Sequence, residues 1–270
     1  MAILIGFALA CGGGSGSGSD ETPTTLAATS NACNLVGLKV ANGQTCEPGE
    51  DPSASSLVKL EIFNTDGTAG LCTGTVIDST TILTAAHCLF NPAFITIETF
   101  GGTFSAVSYS VQSGFGAEPS PFDPSVPLFF NDAALVFTDV PLPVRITPIL
   151  FSRAPEVGEE VLIGGFGEVS PGGSSGAAVA GAATVTAVTP NHITISFSDG
   201  QAHPCQGDSG GPILFRVGNS LAVGGVVSQS DPSVDPGTVC RPGDITLYTN
   251  LQSAATAQFL AEGAPDAPLL

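Results

Sequence analysis

Gly207-Asp208-Ser209-Gly210-Gly211-Pro212 places one serine in a run of glycines, where the backbone can turn sharply and leave the hydroxyl exposed. A serine hydroxyl is a poor nucleophile at neutral pH, so an imidazole must take its proton as the new bond forms. Further back, Thr84-Ala85-Ala86-His87-Cys88 ends a strand-like run with a histidine. Between the two, Asn131-Asp132-Ala133-Ala134-Leu135 sets a carboxylate at the start of an apolar strand, where burial can fix its orientation. Such a carboxylate holds the imidazole in one tautomer and stabilises the imidazolium without taking the proton. Gly207 lets its N–H and that of Ser209 point at one spot, and each such donor is worth about 3 kcal/mol to an oxyanion in a transition state. Asp123 is a rival acid, but it lies among prolines and no strand follows it.

The chain order His87, Asp132, Ser209 and the three motifs together resemble the trypsin/chymotrypsin family of serine proteases, from about Val40 to Glu262. The resemblance implies an all-β, chymotrypsin-like fold of two orthogonal six-stranded β-barrels with a short C-terminal helix. It implies a serine endopeptidase that works through an acyl-enzyme on protein or peptide substrates, with no cofactor. In that reading His87 is the general base, Asp132 the orienting acid and Ser209 the nucleophile, with the N–H groups of Gly207 and Ser209 as oxyanion donors. Gly225-Val226-Val227-Ser228 resembles the family strand whose serine bonds the triad aspartate, and Gly165-Phe166-Gly167 stands in place of a Gly-Trp-Gly motif. The alternative is a non-catalytic homologue serving as an extracellular binding or adhesion module; no substitution in the triad supports it.

The same resemblance implies further pairings and roles. Cys72 would bridge to Cys88 and Cys205 to Cys240, which leaves Cys33 and Cys46 as a third pair. Lys39-Val40-Ala41-Asn42-Gly43 is similar to the family's activation site, with Ala41 where valine is usual. Cleavage after Lys39 by an activating protease would free a Val40 ammonium to pair with buried Asp208. The residue six before Ser209 is His203, at the base of the expected specificity pocket; aspartate is absent there, so tryptic specificity is not expected. Ser228, Gln229 and Ser230 would form pocket walls and Thr246 would narrow its depth. A small or medium apolar residue and an acidic one both remain open as the preferred side chain.

The rest of the sequence agrees with a β-rich, extracytoplasmic protein. Apolar residues make up 43% of the 270 and charged residues 11%, so most of the chain can fold around a core. Short β-branched runs such as Leu57–Ile62, Gly74–Ile77, Val161–Gly164 and Leu221–Val227 alternate with turn signals, and 34 glycines and 21 prolines supply the turns. Strands at this spacing suggest a sandwich or barrels; the resemblance implies a first barrel at about 56–145 and a second at about 150–250, with a helix at about 252–262 and a loose tail at 263–270. A formal charge of −18 excludes a phosphate-neutralising nucleic-acid binder. Residues 1–11 resemble a signal segment with a lipobox, Leu9-Ala10-Cys11, and 12–39 read as a Gly/Ser-rich linker and pro-segment. Lipid on Cys11 would attach the protein to a bacterial envelope; otherwise it is secreted. No metal site is evident, His192 lies alone in a strand, and a loop-bound calcium stays open.

Overall fold

The computed structural model describes residues 44–45, 56–119, 127–198, 201–231 and 240–270. Cys11, Cys33, Lys39, Val40, Cys46 and Asp123, with the roles expected of them, lie outside the described residues.

The first sheet contains β2 (Leu57–Asn64), β3 (Ala69–Asp78), β4 (Thr81–Thr84), β5 (Pro92–Thr99), β6 (Gly102–Ser105), β7 (Ser108–Val111) and β10 (Ala134–Phe137). All pairings are antiparallel, in the order β6-β5-β2-β3-β4-β10-β7. Between β4 and β10 and the second sheet runs a shared apolar layer. Leu57, Ile77, Leu83 and Leu135 of this sheet meet Leu162, Leu214, Val223 and Leu251 there. Their sequence neighbours Val58, Val76, Ile82, Ala134 and Val136 point the other way, into the first sheet's own core. Strands buried on both faces read as continuous apolar runs, because side chains alternate between two dry surfaces.

The second sheet is built from β11 (Glu160–Gly165), β12 (Val179–Val188), β13 (His192–Ser196), β14 (Pro212–Val217), β15 (Ser220–Ser230) and β16 (Ile245–Asn250). The order β12-β11-β14-β15-β16-β13 closes on itself through β12–β13, making a six-stranded barrel, and β1 (Gln44–Thr45) adds to β12. Tyr248 and Phe215, both fully buried, fill its interior with Val161, Ile163, Ile193 and Ile195.

The all-β architecture with a short C-terminal helix is the one expected, with one closed six-stranded barrel and a half-barrel first sheet. That first sheet counts seven strands because β6 and β7 are split by Ala106-Val107, whose N–H groups bond Ile95 O at 3.1 Å and Phe137 O at 2.9 Å. One expectation needs correction: the tail is not loose. Leu269 forms a parallel bridge with Ile149, whose N–H bonds Pro268 O at 2.8 Å and whose carbonyl accepts from Leu270 N at 2.9 Å. The tail satisfies an otherwise open backbone edge and buries Ala264 and Ala267. Helix α1 (Ala254–Gly263) precedes it, capped by Ser253, whose side chain accepts from Thr256 N.

Candidate active site

Asn131, with φ of 54°, turns the chain just before β10 and sends Asp132 inward. Asp132 is fully buried, so its charge must be met by donors. Its Oδ1 accepts from His87 N at 2.8 Å, and its Oδ2 accepts from His87 Nδ1 at 2.8 Å and Ser228 Oγ at 2.6 Å. Its backbone carbonyl accepts from Thr249 Oγ1 at 3.1 Å. Ser228 is aimed there by a bulge: β15 pairs Val227 with Tyr248 and Gln229 with Leu247, leaving Ser228 between them unpaired.

His87 sits in a 3-10 turn, Ala86–Leu89, directly after β4, and its ring is partly exposed. Because Nδ1 faces a carboxylate, it carries the proton, and Nε2 is left as the basic nitrogen. Cys88 is bridged to Cys72, and its sulfur lies 3.9 Å from His87 Nε2 and 3.8 Å from the Ser209 carbonyl. The nucleophile turn is therefore seated against the histidine turn.

The turn itself is fixed from both sheets. Thr73 N donates to Ser209 O at 2.8 Å, and Gly210 N donates to Val227 O at 2.9 Å. Gly210 has φ of +79°, and a Cβ there would lie 2.1 Å from Thr84 Oγ1 and 2.8 Å from Ala85 N. Only glycine lets the chain approach the histidine strand so closely. Gly207 has φ of +95°, and among the described residues neither its N–H nor that of Ser209 has a protein acceptor. No hydrogen bond joins the Ser209 hydroxyl to His87 among the described residues; in unliganded sites such contacts are often long and tighten with substrate.

Asp208 is fully buried behind the turn, accepting from Gly167 N and Cys205 N at 2.8 Å each. Burial pushes its carboxyl up to about 7, against the pull of those two backbone donors. A Cβ on Gly165 would lie 2.1 Å from its Oδ1, and one on Gly167 2.7 Å from its Cγ, so both glycines of Gly165-Phe166-Gly167 are required by this carboxylate. Phe166 packs in the layer between the sheets.

His203 has no exposed surface. Its Nδ1 donates to Pro204 O at 2.9 Å, its Nε2 accepts from Thr246 Oγ1 at 3.0 Å, and its ring stacks on Phe197 at 4.9 Å. Burial pushes its pKa down to about 4, so the ring is neutral at pH 7. Sequence reasoning missed Asp244, which is buried beside it with Oδ2 3.8 Å from His203 Nδ1. Asp244 accepts from Cys240 N and Ile245 N and, more weakly, from Ser230 Oγ at 3.3 Å. Nothing in its local sequence distinguishes it from a surface aspartate. Cys205 and Cys240 are bridged next to this group.

Gln229 and His192 also do something the sequence did not signal. Both side chains bond the backbone of β9 (Pro127–Phe130), which pairs with β8 (Gly116–Pro119). Burial lowers the His192 pKa, opposed by its bond to Phe129 O. Among the described residues, the metal-ligating types that converge are Cys72, His87 and Cys88, and both sulfurs are already in a disulfide. No described helix is long and apolar enough to cross a membrane.

Two antiparallel sheets that meet at a histidine, an aspartate and a serine define a chymotrypsin-like fold. Residues 40–256 match the trypsin family, and the chain belongs to it. It is 27% identical to a serine protease of Anopheles gambiae over 226 residues, covering 78% of this chain and 80% of that one. It is 28% identical to trypsin eta of Drosophila erecta over 190 residues, covering 62% and 71%. Among solved structures, human heparin binding protein superposes with a TM-score of 0.61 at 24% identity, covering 85% of this chain and 98% of that one. That last likeness concerns the fold alone.

Proposed function

We propose that this protein is a serine endopeptidase in which Ser209 attacks the carbonyl carbon of a peptide bond. His87 Nε2 takes the hydroxyl proton as the Ser209 Oγ–carbon bond forms. The carbonyl electrons move to oxygen, and the N–H groups of Gly207 and Ser209 receive that oxyanion. His87 then gives its proton to the departing amine, leaving an acyl-enzyme that a water molecule hydrolyses by the same two transfers in reverse. The observation that carries this reading is the Asp132 carboxylate, which takes both His87 N and His87 Nδ1 and so leaves Nε2 as the only basic nitrogen. A fluorophosphonate probe should label Ser209, and Ser209→Ala should abolish labelling and peptide cleavage together. Cleavage that persists in Ser209→Ala overturns the proposal.

The neutral, capped His203 supports a small or medium apolar residue before the scissile bond, since no cation is presented to an acidic one. Cleavage profiling with a peptide library tests this. A binding role like that in the name of human heparin binding protein is disfavoured, because a −18 chain with six Lys and Arg repels a polyanion.

In the same proposal, cleavage after Lys39 by another protease supplies a Val40 ammonium to Asp208. A carboxyl held near 7 by burial is one that an incoming cation would ionise and fix. A Cys33–Cys46 bridge would then keep the pro-segment attached, and lipid on Cys11 would hold the enzyme at a bacterial envelope. Sequencing the reduced, active protein should find a Val40 N-terminus; its absence from fully active material rejects the activation step. Loss of palmitate labelling in Cys11→Ser tests the anchor.

A further inference from the structure

The two halves also meet at a polar recess. A cavity of about 130 Å³ opens between Ser56 at the head of β2, Arg145 and Thr147 on the connector from β10 to β11, and Arg216, Asn219 and Ser220 on the β14–β15 hairpin. None of these residues belongs to the His87–Asp132–Ser209 site. Strand alternation sends Arg216 there: Phe215 fills the barrel interior, so its neighbours Leu214 and Arg216 face outward. Backbone bonds hold the other two walls together, from Val76 N to Ser56 O at 2.8 Å and from Thr147 N to Val76 O at 2.9 Å. The connector and the head of β2 are thus both fixed to β3.

The recess holds cations without anions. The chain has 24 Asp and Glu against six Lys and Arg, so acidic partners are in excess. Lys59 takes two, Glu61 and Glu98, and Arg153 takes Glu159. Among the described residues, the guanidinium groups of Arg145 and Arg216 have no ion-pair or hydrogen-bond partner, yet both line this one cavity. Arg241, which is exposed, is likewise unpaired and lines no part of it. Two hydroxyls lie beside the pair. Ser56 is 1% exposed and Thr147 7%, and neither hydroxyl has a hydrogen-bond partner among the described residues. Buried polar groups are nearly always bonded, so these four unengaged donors mark a place for an acceptor that the chain does not supply. Guanidinium and hydroxyl donors suit the oxygens of phosphate or sulfate, and two arginines match a double negative charge.

We propose that this recess binds a small doubly charged oxyanion, free phosphate or sulfate, and that the bound ion braces the two halves of the protein against each other. Ser56 leads into the first sheet, and Arg216 belongs to the closed barrel, so an ion held by both spans the boundary between them. His87 and Asp132 lie on one side of that boundary and Ser209 on the other. The −18 charge repels a long polyanion, whereas screening over about 8 Å at physiological salt lets a small ion reach the arginines. The proposal is independent of the endopeptidase reading.

The test titrates the full chain with inorganic phosphate by calorimetry and by thermal unfolding, at constant ionic strength and about pH 8, where phosphate carries two charges. Wild type should bind saturably with a Kd on the order of 1 mM, and about 10 mM phosphate should raise Tm by about 3–5 °C. Sulfate should act alike and acetate should not. Arg145→Gln and Arg216→Gln should each weaken binding by about tenfold or more and remove the Tm rise, while Arg241→Gln should keep both. Ser56→Ala should weaken binding by about threefold. The rise is read within each variant, and Arg145→Gln, an exposed substitution, carries the test should Arg216→Gln not fold. Absence of saturable binding in wild type overturns the proposal. So does an equal rise with acetate, or a phosphate rise that survives in both arginine variants, because each is the general salt response of a −18 chain. Heparin binding that is tighter than phosphate binding and lost in the same variants overturns the small free ion as the occupant. Labelling and cleavage at Ser209 are separate measurements, so the protease reading stands or falls apart from these outcomes.

Discussion

The described residues include two histidine–aspartate pairs, His87 with Asp132 and His203 with Asp244, and they are wired in opposite ways. At the cleft, His87 Nδ1 meets the Asp132 carboxylate at 2.8 Å, and Nε2, on a partly exposed ring, has only the disulfide-bonded Cys88 sulfur near it at 3.9 Å. In the barrel wall, His203 Nδ1 is spent on a carbonyl, Nε2 is capped by Thr246, and Asp244 stands off at 3.8 Å. The residue types are the same. What differs is which nitrogen is left free and whether water reaches it. A ring with one free basic nitrogen can move a proton, and a ring with both nitrogens engaged in a dry site is a packing element.

The largest test of this contrast is Asp132→Asn. An amide there can favour the wrong tautomer of His87, and kcat/KM should fall by about 10⁴-fold with little change in Ser209 burial. Steady-state kinetics on a good peptide substrate reads it, and a loss under tenfold breaks the assignment of the cleft pair.

Next in size is Asp208, the buried carboxylate without a histidine. Its folded pKa of about 7 lies above its usual 3.8, so the folded state holds its proton longer than the unfolded chain. Its contribution is fully present below about pH 4 and is lost as pH rises through 7, an effect of about 4 kcal/mol in the uncleaved protein. Because His203 titrates in the same window with the opposite sign, the loss is read as the stability difference between the wild type and Asp208→Asn, which should shift by about 3 kcal/mol between pH 4.5 and pH 8 in urea unfolding.

His203 should act in the opposite direction. Its folded pKa of about 4 lies below 6.5, so stability is full above pH 6.5 and falls as pH drops toward 4. The expected loss is about 3 kcal/mol, and the stability difference between the wild type and His203→Gln should shrink by that amount as pH falls from 6.5 to 4 in denaturant titration. The smallest effect belongs to Ser228→Ala, which removes one of the donors to Asp132. We expect kcat/KM to fall about tenfold, from a lost hydrogen bond of roughly 1–2 kcal/mol to a charged group.

Much of the fold is legible in local sequence, for an identifiable reason. Leu57–Ile62 and Val161–Gly164 carry the alternating or continuous apolar pattern of strands with one or two dry faces, and the structure has strands there. The helix expected at about 252–262 is found at Ala254–Gly263. Other elements gave no such signal. The largely exposed strands β6 and β8, and the short, half-buried Pro-Leu-Phe-Phe of β9, are set by their strand partners, not by full burial of their own side chains. The tail reads as a short run of Ala and Pro, and only its docking on Ile149 gives it structure.

The sequence by itself determined the chemistry's raw materials: a serine in a glycine turn, a histidine at a strand end and an aspartate before an apolar strand. It did so because turn geometry and strand burial are local properties, written in neighbouring residues. Only the tertiary structure decided which polar groups meet. It capped His203, set Asp244 beside it, bulged Ser228 toward Asp132 and joined Gln229 and His192 to Phe129. Those contacts link residues 41 to 102 positions apart in sequence, and which of them meet depends on how the strands and sheets pack.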